Sequence, residues 1–121
     1  MNLYELFSLF WRDNGYRAFS KTETILYFYL LNMANSARWQ MPFTGYTERI
    51  SADLQTTKQN IVKARAGLQQ RGLISFTAGT GKENPPLYTI IDRTSQLSVP
   101  LSENLSVKMS VPLSPINIKE K

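Results

Sequence analysis

Thr57, Lys58, Gln59, Asn60 and Lys63 crowd into one short stretch of the chain, T-T-K-Q-N-I-V-K. Carboxamides such as Gln59 and Asn60 carry a donor and an acceptor side by side, the pairing that an adenine edge offers in a major groove. The ammonium groups of Lys58 and Lys63 suit a phosphate or a guanine, and a threonine at a helix start, with the free amides beside it, can hold a phosphate. Such chemistry needs short polar side chains on the first two turns of a helix whose opposite side is packed. The same residues would equally serve as the wetted outer face of any amphipathic helix.

Other basic and polar groups lie within reach in sequence. From Arg49 to Lys82 there are six basic residues, Arg49, Lys58, Lys63, Arg65, Arg71 and Lys82, against the single acid Asp53, an excess equal to the +5 of the whole chain. Charge concentrated in this way is the footprint of a phosphate-binding surface, or of a solvated helix face rich in cations. Arg49 and Arg71 are placed for a flanking backbone, and Arg65, between inward positions, for Asp53 or a carbonyl. In G-T-G-K-E-N-P-P, Gly79 and Gly81 free the backbone for close approach, Lys82 puts charge at a loop tip, and Thr80 and Asn84 add donors. The loop could also be a flexible connection with one lysine. A nucleotide-binding loop fails here, because Phe76 stands where the first glycine is required and Glu83 follows Lys82 where Ser or Thr should hold magnesium.

Several chemistries are absent from the outset. The 121 residues contain neither cysteine nor histidine, which removes disulfides, thiolates, the common zinc ligands and the usual general base. No carboxylate pair has acid–base spacing. No catalysis, metal or cofactor is expected. The opening M-N-L-Y-E-L-F-S-L-F-W has no basic lead and no apolar run reaches membrane length, so no membrane association and a cytoplasmic location are expected.

The elements that must position these residues follow from periodicity and caps. Asn2 with Glu5 opens a helix whose stripe of Leu3, Leu6, Phe7, Phe10 and Trp11 ends at Asn14-Gly15. That stripe would lie on the core or, being unusually aromatic, form a dimer or partner surface. Ser20 with Glu23 opens a second helix, apolar on nearly every side and hence central, with Tyr27 and Tyr29 as its amphipathic edges. A connector with Pro42 and Gly45 follows, in which 40–44 can join a later hairpin. Thr47 caps a short helix with Ile50 and Leu54 inward. Thr57 caps the next, with Ile61, Val62, Ala64 and Leu68 inward and Arg71-Gly72 closing it. Strands at 73–78 and 87–91 flank the glycine-rich loop, which is too long for a tight turn and projects as a wing.

These elements make a mainly α fold with a small β-hairpin: a winged helix-turn-helix with a three-helix core plus wing and an extra N-terminal helix. Residues 1–93 form that domain. Residues 94–121, in which S-V-P-L-S occurs twice among alternating apolar and polar residues, form an extended or disordered tail, or an edge hairpin turning at Glu103-Asn104.

Residues 3–91 resemble the N-terminal winged-helix domain of DnaD-like and phage replication-initiation (replisome organiser) proteins of bacteria. The likeness is carried by F-W-R late in the first helix, by S-K-T-E-T-I-L-Y-F-Y-L-L-N-M-A-N, by the tryptophan-containing connector, and by T-T-K-Q-N-I-V-K-A-R-A-G-L-Q-Q-R-G-L-I. It implies binding of duplex DNA at a replication origin and contact with a helicase or its loader; a homodimer is expected from the aromatic stripe of the first helix. Two departures stand out. Gln55 and Thr56 occupy the turn where the pattern has Gly and an aliphatic residue, and the tail replaces a second domain. A dimeric transcriptional regulator on an operator, or a winged helix used only for protein contacts, would share the same core.

Overall fold

A computed structural model describes residues 1–80 and 84–93. Lys82 and Gly81, and the tail at 94–121, lie outside the described residues. Four helices and three short strands follow one another: α1 (Leu3–Tyr16), α2 (Lys21–Ser36), β1 (Phe43–Thr44), α3 (Thr47–Asp53), α4 (Lys58–Gln70), β2 (Ile74–Thr77) and β3 (Leu87–Ile90). The strands form one antiparallel sheet in the order β1-β3-β2, with Phe76 opposite Tyr88 and Phe43 opposite the same tyrosine on the other side. This is a winged helix-turn-helix preceded by an additional helix.

Local chemistry sets most boundaries. Asn2 accepts from the amides of Tyr4 and Glu5, and α1 runs past Asn14-Gly15 to Tyr16, two residues beyond the asparagine expected to stop it. Ser20 and Glu23 form a complete capping box, each side chain bonded to the other's backbone amide, satisfying two of the donors a helix start leaves open. Thr57 accepts from the Asn60 amide and starts α4. Thr47 does not cap α3: the N-cap is Tyr46, without a side-chain bond, and the Thr47 hydroxyl serves Arg65 instead. Between α3 and α4 the turn passes through Gln55 at φ 55°, a left-handed conformation that glycine adopts far more cheaply. Gly72, at φ 82°, closes α4 where a side chain would be strained.

The core gathers around α2. Leu26, Tyr27, Leu30, Leu31 and Ala34 are buried and meet Ile50 from α3, Ile61, Ala64 and Leu68 from α4, and Ile74, Tyr88 and Ile90 from the sheet. The first helix closes this core from the side. Leu6 and Phe10 are fully buried, with Phe10 stacked on Phe19 and Tyr27 at centroid distances of 4.3 and 5.3 Å. Two members of the expected partner stripe are therefore interior, because aromatic rings from α1 fill the gap beside α2. Leu3 and Phe7 are half-buried against the same cluster, and Trp11 alone of the stripe stands half-exposed. Tyr27 is wholly buried and not at an edge, whereas Tyr29 reaches outward to bond Asp53.

Candidate nucleic-acid interface

The start of α4 is held on both sides. The preceding turn returns the Leu54, Gln55 and Thr56 amides to Ile50, Ala52 and Ser51, and Ile61, Ala64 and Leu68 anchor the inner side of the helix in the core. A helix pinned along one side at a 3.6-residue period must turn the other outward. That outward side presents Lys58, Gln59, Asn60, Val62, Lys63 and Ala66. Val62, expected inward, is 47% exposed, because Ile61 and Ala64 already take the core-facing positions and the next residue rotates away.

The polar groups differ in how free they are. The Asn60 side-chain nitrogen donates to Thr56 Oγ1 at 2.9 Å, which fixes the carboxamide. Thr57 is exposed while its hydroxyl accepts from the Asn60 backbone. Lys58 sits 3.7 Å from Glu48, an exposed pair that a competing phosphate can displace at little cost. Among the described residues, the side chains of Gln59 and Lys63 have no hydrogen-bond or ion-pair partner. α4 itself contains no acid. A shallow cleft between the start of α2 and this edge is lined by Ser20, Thr22, Asn60 and Lys63, with Glu23 its one carboxylate.

The flanking arginines divide. Arg49 pairs with Asp53 at 3.4 Å yet keeps a largely exposed side chain. Arg71 turns inward: its guanidinium donates to the carbonyls of Asp13 and Arg17 and lies 3.6 Å from the Phe19 ring centroid. Burial, and then the nearby Arg17, push its pKa below the usual arginine value. It joins the end of α4 to the end of α1, where a DNA backbone contact would require it to abandon three interactions. Arg65 is half-buried, donating to Thr47 Oγ1 at 2.8 Å and to the Tyr88 hydroxyl at 3.3 Å over the face of Phe76. Its partners are hydroxyls and a ring, not Asp53 or a carbonyl. Burial raises the pKa of Tyr88, and the bond from Arg65 lowers it in part.

In the wing, Thr80 is exposed and its amide donates to the Asn84 carbonyl at 2.7 Å, making a short bridge. Gly79 serves that bridge: a Cβ there would fall 2.6 Å from Pro86 N and against the Asn84 carbonyl. Its lack of a side chain lets the two arms of the wing close on each other. The arrangement can place a polar, acid-free helix edge in a groove with the exposed Thr80 of the wing beside it.

Comparison with known proteins adds one likeness. The solved structure of a MarR family regulator from Neisseria meningitidis is similar at a TM-score of 0.43, with 16% identity, over 88% of this chain and 74% of that one. No protein-family model matches the chain, and no curated protein matches it.

Among the described residues, no helix is long and apolar enough to cross a membrane. Sequence reasoning missed two features of the site. The outward rotation of Val62 was signalled by Ile61, Ala64 and Leu68, which already complete an inward row at spacings of three and four. The inward turn of Arg71 depends on Asp13, 58 residues away, and had no local signal.

Proposed function

We propose that the chain binds duplex DNA through α4 and acts as a non-catalytic regulator of transcription, reading an operator as a homodimer. The observation that carries DNA binding is the outer edge of α4: Lys58, Gln59, Asn60 and Lys63 project together from a rigidly packed helix that holds no carboxylate. That edge can enter a major groove, with Thr57 and the helix start against a phosphate and Arg49 and Thr80 near the flanking backbone. The exit of α4, Leu68 followed by Gly72-Leu73-Ile74, is a pattern shared by many transcription regulators and is compatible with the regulatory use. Half-exposed Trp11 on α1 offers the surface for a second copy.

Origin binding during replication initiation is the second reading, favoured by the likeness of residues 3–91 to replisome organisers. Both readings need the same interface, and one experiment separates them from each other and from a protein-contact module. Duplexes selected from a random library by the full-length protein are footprinted at low salt. A palindromic footprint with half-sites about one helical turn apart supports the operator reading. An unpaired site together with capture of a helicase or loader supports the origin reading. Absence of any duplex binding at low salt overturns both.

A further inference from the structure

Val62 is the one large hydrophobic residue exposed on α4. It occupies the middle of a shallow, carbon-rich depression bounded by Lys58, Gln59, Lys63 and Ala66. Neither packing nor helix propensity explains a valine there. It makes no part of the buried cluster, and a β-branched residue is a poorer helix former than the Lys, Gln and Ala that surround it. In a helix its χ1 is nearly fixed, so the two methyl groups stand at a set position before any partner arrives. Beside it, Ala66 keeps the surface low, and Lys58 and Lys63 provide positive charge on either side.

We infer that Val62 is a specificity residue that packs against the 5-methyl group of a thymine in the major groove. Thymine is the base whose groove edge carries a methyl, and apolar side chains distinguish it by contact. The lysines on both sides select a polyanion over an apolar protein surface, since a protein docking on Val62 would have to cover two ammonium groups on a helix that offers no acid to balance them. Gln59, one turn earlier on the same edge, is placed to bond a neighbouring adenine, so the combined preference is for A·T-containing steps. This inference rests on the duplex-binding reading and adds to it the identity of one base contact.

The test uses the full-length protein and a duplex enriched from a random library, with affinity followed by fluorescence anisotropy. Each thymine is replaced in turn by deoxyuridine, which lacks only the methyl group. Loss of one buried methyl contact predicts about a fourfold weaker complex at one thymine for the wild-type protein. Val62→Ser, which keeps a comparable helix propensity, should bind the thymine duplex about fourfold more weakly and show no further loss with deoxyuridine at that position. Circular dichroism checks that the variant is folded. Tight binding by the wild type that is indifferent to every replacement overturns the inference and leaves duplex binding intact. Equal thymine sensitivity in Val62→Ser assigns the methyl contact to another residue and overturns it as well. Failure of any duplex to bind at low salt removes the duplex-binding reading and this contact with it.

Discussion

The two ends of α4 carry similar charge and put it to opposite use. At the start, Lys58 and Lys63 stand in solvent on flexible stems, one in a weak exposed pair and the other without a partner among the described residues. Toward the exit, Arg65 and Arg71 are drawn inward, each making two hydrogen bonds and lying over an aromatic ring. The guanidinium's planar fork suits fixed acceptors and ring faces, while an ammonium on a mobile stem suits a phosphate whose position is not fixed in advance. A tally of basic residues along the sequence therefore overstates the charge available to a partner, because the interior spends part of it.

The sharpest way to break this division is Arg65→Ala. It removes two charge-assisted bonds and a ring contact and leaves the buried Tyr88 hydroxyl without its donor. The expected cost is about 3 kcal/mol in a denaturant titration. An equal effect from Lys63→Ala would contradict the assignment of the two ends. The reciprocal change, Lys58→Ala with Lys63→Ala, should leave stability within about 0.5 kcal/mol. In a salt titration of duplex binding it should flatten the slope of log K against log salt by about 1.8 and weaken binding about fiftyfold at 0.1 M. Unchanged affinity would mean that the outer edge does not meet phosphate.

Two smaller changes examine the supports behind each end. The Tyr27 hydroxyl is buried with no hydrogen-bond partner, and burial pushes its pKa up to about 12. Tyr27→Phe should stabilise the fold by about 1 kcal/mol near neutral pH. Because the folded pKa lies above the unfolded value near 10, the neutral form is favoured in the native state, and stability is lost as pH rises from about 10 through about 12. Tyr29 is raised in the same direction, by burial and then by its bond to Asp53, so Tyr27→Phe should shrink the alkaline loss without abolishing it. At the turn before α4, Gln55→Gly relieves a left-handed conformation and should raise stability by about 0.5 kcal/mol. A destabilised Gln55→Gly variant would show that the glutamine side chain fixes the turn.

These contrasts also explain how far the sequence could be read. Helix starts were legible because capping is local: Asn2, Ser20 and Thr57 sit within three residues of the amides they serve. The core side of α4 was legible because Ile61, Ala64 and Leu68 repeat at helical spacing. The fate of each cation was not, since Arg65 finds its partners 18 and 23 residues away and Arg71 finds one at 58. The stripe on α1, left open between core and partner surface, divides for a related reason: Leu6 and Phe10 are interior and Trp11 is half-exposed. Periodicity shows that Leu6 and Phe10 share a side with Trp11, and only the position of α2 decides which of them it covers.

The ion pair between Arg93 and Asp13 joins residues 80 positions apart. Arg93 follows the last strand, and Asp13 lies near the end of the first helix, the same segment whose carbonyls Arg71 holds. During synthesis the first helix can pack on α2 early, but the contacts that fasten its C-terminal end arrive only after Arg71 and then Arg93 have left the ribosome. Its aromatic surface meets Phe19, Tyr27 and Phe28 soon after they emerge, and only the latch at its end must wait for Arg93. A chain halted before Arg93 would hold that helix against α2 without the latch.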